Sequence, residues 1–138
     1  MDITEKENLD SIEIELKSFK GKLIHAHSIY EGRSETSLST NKVNSICNGI
    51  ELGSVTLDDP ILLNKCLDNN NASDWKNINA DERAKILEKI ADDIEEKPYE
   101  LIYFLINEAG KTIQNAIDEI REGVDFLRYY SKEIIKLI

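Results

Sequence analysis

From Asn79 onward the chain is written almost wholly in helical period, and this limits it to a stack of amphipathic helices more firmly than any other feature. Asn79 can cap the first of them, with Glu82 three residues later as reciprocal partner, and Ile86, Leu87, Ile90, Ala91 and Ile94 form its apolar stripe. Pro98 opens a second helix, apolar at Leu101, Ile102, Phe104, Leu105 and Ala109 and stopped by Gly110. Thr112 caps a third, which places Ile113, Ala116, Ile117, Ile120, Val124, Leu127, Ile134 and Ile138 on one face. The predicted helices run about 79–96, 98–109 and 112–138. Unbroken, the last spans roughly 40 Å at ~1.5 Å per residue. A further helix at about 59–70 is expected upstream, because Asp58 or Asp59 can cap it with Pro60 at its first position.

The first half reads differently. Residues 1–21 form a linker or weak helix, with a stripe of Leu9, Ile12, Leu16 and Phe19 ending at Gly21. Residues 22–30 alternate well enough for a strand, and the polar run 31–40 reads as a loop. Asn48-Gly49 stands between two alternating runs, 43–47 and 50–56, and both residues tolerate the positive φ of a type I′ turn. The expected fold is therefore mainly α with a small antiparallel β-hairpin. Trp75 falls in a loop.

With 138 residues the chain supports one domain at most. No apolar run approaches the ~20 residues of a membrane span. The segment Met1-Asp2-Ile3-Thr4-Glu5-Lys6-Glu7 lacks the apolar core of a secretory signal. Cys47 and Cys66 without a targeting segment are expected as reduced thiols in a cytoplasm. A net charge of −10 argues against nucleic acid or an anionic membrane as partner.

Most apparent motifs have plain structural readings. Gly110-Lys111-Thr112 resembles the end of a phosphate-binding loop, but Leu105 stands where that loop needs its first glycine. His25 and His27 share a strand face with no third ligand in view, so no metal site is expected. Cys47 and Cys66 lack CxxC spacing and the basic surroundings that activate a thiolate. The run Asp92-Asp93-Ile94-Glu95-Glu96 reads as a solvated helix face.

One set of residues goes further. Trp75 is followed by Glu82-Arg83-Ala84-Lys85-Ile86-Leu87, Ala91-Asp92, Leu101-Ile102 and Glu108-Ala109-Gly110-Lys111-Thr112. The run Ala116-Ile117-Asp118-Glu119-Ile120-Arg121-Glu122-Gly123-Val124-Asp125-Phe126-Leu127-Arg128-Tyr129-Tyr130 completes it. In order, spacing and identity this resembles the aldehyde dehydrogenase superfamily, most closely the pyrroline-5-carboxylate dehydrogenase module of bifunctional proline-utilisation proteins. The resemblance covers roughly residues 22–138, with Ser45 where the family usually has proline and Gly123 where it has alanine. It implies a truncated N-terminal piece of the α/β aldehyde dehydrogenase fold, and the bare apolar ending Ile134-Ile135-Lys136-Leu137-Ile138 fits that expectation.

By resemblance, Glu122 is a substrate-binding residue, facing the aldehyde tunnel of a complete enzyme. The family's chemistry uses a nucleophilic cysteine in a G-Q-x-C context, a general-base glutamate, an oxyanion asparagine and an NAD-binding βαβ region. No stretch of this chain matches these, so it is expected to hold no catalytic residue, cofactor or metal. The implied role is a remnant or split piece of a pyrroline-5-carboxylate dehydrogenase of proline catabolism, inert alone. Its partner would be the separately encoded remainder, or a second copy through self-association. The alternative is a non-catalytic helical protein-interaction module.

Overall fold

The computed structural model describes residues 6–30, 33–34, 39–57, 61, 64 and 74–136. The described residues are mainly α with two small sheets, one of three strands and one of two. Helix α1 (Lys6–Lys17) comes first, then strands β1 (Ile24–Ala26), β2 (Ile29–Tyr30), β3 (Arg33–Ser34), β4 (Ser39–Asn44) and β5 (Glu51–Leu57). A 3-10 turn at Asp74–Asn77 carries Trp75 and leads to α2 (Ala80–Glu96), α3 (Tyr99–Asn107) and α4 (Ile113–Lys136). Ile61 and Asn64 are helical, while the rest of the helix expected at 59–70, Cys66 included, lies outside the described residues, as does Ile138.

The caps act where the sequence puts them. Asn79 Oδ1 accepts the Glu82 N–H at 2.8 Å, and Thr112 Oγ1 accepts the Asn115 N–H at 3.2 Å. Each satisfies one of the amides a helix start leaves unpaired. Gly110 takes φ +69° and lets the Lys111 N–H turn back to the Leu105 carbonyl at 3.1 Å, closing α3.

The segment expected as linker or weak helix is a defined element. Ile12 of α1 is fully buried and joins Ile102, Ala116 and Ile117 in the central cluster, with Leu16, Leu105, Ile113 and Ile120 packed around it. The stripe was faint because α1 contributes one buried residue, in a helix otherwise half-exposed or exposed. α2 and α4 run antiparallel: Ala84 and Ala91 are buried on one, Val124 and Ser131 on the other. Small side chains on α2 let the longer helix lie close along it.

The strands depart from expectation in two ways. The alternation over 22–30 breaks at His27–Ser28, and its halves join different sheets: β1 lies parallel to β5, and β2 pairs with β3. Strand β4 starts at Ser39, inside the stretch expected to be loop, and ends at Asn44 in a register shift against β5. The connection is then longer than a two-residue turn. Gly49 does take φ +71°, while the Ser45 N–H spans to the Ile50 carbonyl at 2.8 Å and Asn48 Oδ1 accepts the Ile50 N–H. The Ser45 amide thus supplies a donor that a proline at this position would lack.

This connection docks on the end of α3. The Ile46 N–H donates to the Asn107 carbonyl at 2.9 Å, and buried Ser45 donates from Oγ to Asn107 Oδ1 at 3.4 Å. The hairpin thereby covers carbonyls that the helix end leaves without partners.

Gly123 sits in α4 with open space where a Cβ would go. Gly123→Ala is therefore expected to raise stability by ~0.5–1 kcal/mol, read as a higher denaturation midpoint, because it removes unfolded-chain freedom without a clash.

Candidate functional site

α4 has two working faces. Its inner face is packed on α2 and the core through Ala116, Ile117, Val124 and Ser131. Glu122 lies on the opposite side, exposed, at the middle of the helix. With Asp118, Arg121, Asp125, Phe126 and Tyr129 it lines a shallow open cleft. Positions 122, 126 and 129 are four and three residues apart, so their side chains form one stripe. Phe126 stacks on Tyr130 with centroids 6.2 Å apart, and Tyr130 meets Tyr129 edge-on at 5.2 Å. A second cavity, of about 220 Å³, opens beside it between α3 and α4. Ile102, Ile117, Ile120 and Val124 line it, with Glu95, Arg121 and Asp125, and it shares the last two with the Glu122 cleft.

An ion cluster that the sequence reading missed also joins α4 to α2. Arg128 donates to Glu88 Oε2 at 3.2 Å, to Asp92 Oδ1 at 2.9 Å and to Glu95. Ser131 Oγ donates to the other oxygen of Glu88. Glu88, Asp92 and Glu95 follow at spacings of four and three, so one guanidinium spans two turns of α2. The bonds to Glu95 and then Asp92 raise the Arg128 pKa above its already high ordinary value. Asp92 and Glu95 lie exposed, as expected of a solvated face, and in addition bond Arg128. The signal was the acidic i, i+4, i+7 stripe, but the cation comes from another helix 33 residues beyond Glu95.

The remaining candidates stay apart from this face. His25 Nδ1 is 2.7 Å from Ser54 Oγ across the β1–β5 pair. Among the described residues no group of His, Cys, Asp or Glu is arranged to hold a metal ion. Cys47 Sγ faces the Ile106 carbonyl at 3.4 Å, with no acid or base in that contact. A dinucleotide site needs a helix N-terminus with free amides directly after a strand. Here the parallel strands β1 and β5 are linked through further strands, so that pair forms no dinucleotide-binding βαβ unit, and Asn79 and Thr112 each bond one amide at the starts of α2 and α4. None of the helices among the described residues is long and apolar enough to cross a membrane.

The profile of the aldehyde dehydrogenase family matches residues 34–138, and this chain belongs to that family. Among the proteins it is similar to are PutA proteins and 1-pyrroline-5-carboxylate dehydrogenases. It is 48% identical to the bifunctional protein PutA of Escherichia coli K12 over 65 residues, which is 47% of this chain and 5% of that protein. It is 41% identical to 1-pyrroline-5-carboxylate dehydrogenase 1 of Halalkalibacterium halodurans over 63 residues, 46% of this chain and 12% of that one. Against the 1-pyrroline-5-carboxylate dehydrogenase of Staphylococcus saprophyticus the match runs over 144 residues at 26% identity, 99% of this chain and 27% of the relative. The crystal structure of PutA from Bdellovibrio bacteriovorus has the same fold, with a TM-score of 0.91 at 20% identity, covering 99% of this chain and 15% of that one. The chain thus spans between 5% and 27% of the length of these curated relatives.

Proposed function

We propose that this chain is one piece of a pyrroline-5-carboxylate dehydrogenase, a remnant or a split part, which supplies the Glu122 face of the aldehyde site and is catalytically inert without the remainder. The observation that carries this reading is the match to such dehydrogenases over 99% of this chain but only 27% of the relative's length. The local chemistry agrees with it. Oxidising an aldehyde through a thioester needs an attacking thiolate, a base and a bound hydride acceptor, and the described residues provide a carboxylate face and a helix clamp. In the assembled enzyme NAD would supply the hydride acceptor, held by the remainder. What this chain contributes is orientation: Glu122, exposed on a helix held by Arg128, can receive the ammonium end of a bound amino-acid semialdehyde.

The chain alone is expected to give no NADH from glutamate semialdehyde and NAD above the background rate. Co-expressed with the missing portion of the dehydrogenase, it is expected to restore turnover. Glu122→Ala should then raise KM roughly tenfold with little change in kcat, the effect of losing one charged contact in binding. Turnover by the isolated chain that depends on Cys47 or Cys66 would sink the reading, and an unchanged KM would remove Glu122 from the site.

A further inference from the structure

We infer that the groove between α1, the β4–β5 connection and α3 binds a single-chain aliphatic carboxylate of medium length, its tail on the apolar floor and its head at Lys20. The groove is separate from the Glu122 face, and its ligand is one that the dehydrogenase reading does not call for.

The charge pattern points there first. Between Glu15 and Glu31 the chain has Lys17, Lys20, Lys22, His25 and His27 and no carboxylate, although its net charge is −10. α1 ends in this stretch and lies before residues 34–138, the span that matches the family. Two of the three lysines are committed. Lys17 pairs with Glu13 at 3.1 Å, and Lys22 lies 4.3 Å from the centre of the Phe19 ring. Lys20 makes no ion pair among the described residues and stands at the rim of the groove. Turns from the Phe19 N–H to the Leu16 carbonyl and from the Lys20 N–H to the Lys17 carbonyl, each 3.2 Å, hold it there. With Glu13 balanced by Lys17, the rim keeps one positive charge, which selects an anion.

The floor supplies the other half. Leu16, Ile50, Leu52, Tyr103 and Ile106 form it. Asn107, at its end, already accepts from Ser45 at Oδ1 and donates from Nδ2 to the Tyr103 carbonyl, while Asn48 Oδ1 accepts the Ile50 N–H. An alkyl chain asks for no further bond there and gains by leaving water. The groove measures about 270 Å³, which decides between a protein segment and a small molecule. A helix with side chains is ~10 Å across, so a single turn takes up roughly 400 Å³. A cavity of ~150 Å³ holds a benzene, and by that measure a chain of roughly ten carbons fits. The cavity of about 220 Å³ between α3 and α4 does not compete for this ligand, since Glu95 and Asp125 line it and would repel an anion.

Calorimetric titration of the full chain with monomeric hexanoate, octanoate, decanoate and dodecanoate tests the site. Affinity is expected to rise about fourfold per methylene up to decanoate and to level off beyond it. Decanol should bind about fivefold more weakly than decanoate, and Lys20→Gln should abolish that difference without altering melting, because Lys20 is exposed. Ile50→Gln should weaken decanoate about tenfold, and Ile50 is 46% exposed, so the core stays intact. Nuclear Overhauser contacts should run from the decanoate chain to the methyl groups of Leu16 and Ile106. No saturable binding of decanoate overturns the site. Affinity independent of chain length overturns the floor as the seat of the tail, and decanol binding as tightly as decanoate overturns the role of Lys20. Contacts to Ile102 and Val124 in place of Leu16 and Ile106 overturn the location. Sedimentation with phosphatidylglycerol vesicles that decanoate does not compete away would show a lipid surface read by the basic stretch, and would overturn the monomeric ligand. Each of these failures leaves the dehydrogenase reading standing.

Discussion

Gly53→Ala is expected to unseat β1 and lower stability by on the order of 3–4 kcal/mol, near the upper end for a single substitution. Gly53 lies opposite Ile24 in the parallel pair and opposite Val43 in the antiparallel one, so it is held from both sides at the centre of the sheet. Its φ of +151° would aim a side chain in the plane of the sheet instead of away from it. A Cβ built there lies 1.8 Å from the Ile24 carbonyl oxygen and 2.8 Å from the Ile24 nitrogen. Backbone cannot yield as a flexible side-chain end can, so β1 must move off. The 2.7 Å contact between His25 and Ser54 goes with it. Hydrogen exchange would show amides of Ile24–Ala26 losing protection while α2 and α4 keep theirs, alongside a lowered denaturation midpoint. An unchanged midpoint would mean that β1 adds nothing to the fold.

Gly53 also marks the boundary of what the sequence discloses. Helix starts are local events: Asn79 bonds an amide three residues on, and so does Thr112. Such spacing can be read from the letters. The apolar period of α2–α4 is legible for the same reason. Strand partners are not local. Nothing within 22–30 says that Ile24–Ala26 will lie on β5 while Ile29–Tyr30 turns to Arg33–Ser34. The hairpin signal at Asn48-Gly49 located the reversal but not its length, because contacts with the end of α3 set the path of Ser45 and Ile46. The site divides along the same line. Glu122 enters the proposed site through the family resemblance alone, whereas the ion cluster on its helix joins Glu88, Asp92 and Glu95 to Arg128 from a different helix. The acidic run does lie on an exposed face, and the sequence could not show that Arg128 of a second helix reaches across to it.

The same argument makes Ile102→Ala the second large effect. Ile102 is almost fully buried where α1, α3 and α4 meet, in one cluster with Ile12, Ala116 and Ile117. Two of its neighbours are themselves branched and fixed in rotamer, and Ala116 is too short to fill a gap, so the space left by truncation stays largely open. The expected loss is ~2–5 kcal/mol, a large part of the ~5–15 kcal/mol that holds a typical domain together. Leu101, one position earlier and exposed, turns away from this cluster. Leu101→Ala should therefore change stability by no more than about 0.5 kcal/mol. Denaturation midpoints of the two variants test the assignment of faces on α3, and equal losses would refute it. The comparison also tests α1. Ile12 is the only described residue of that helix buried in the core, so opening the cavity beneath it removes most of what seats α1. Ile102→Ala should expose Lys6–Lys17 to proteolysis at a denaturant concentration where Leu101→Ala still protects it. Equal protection in both variants would show that α1 is held by something other than this cluster.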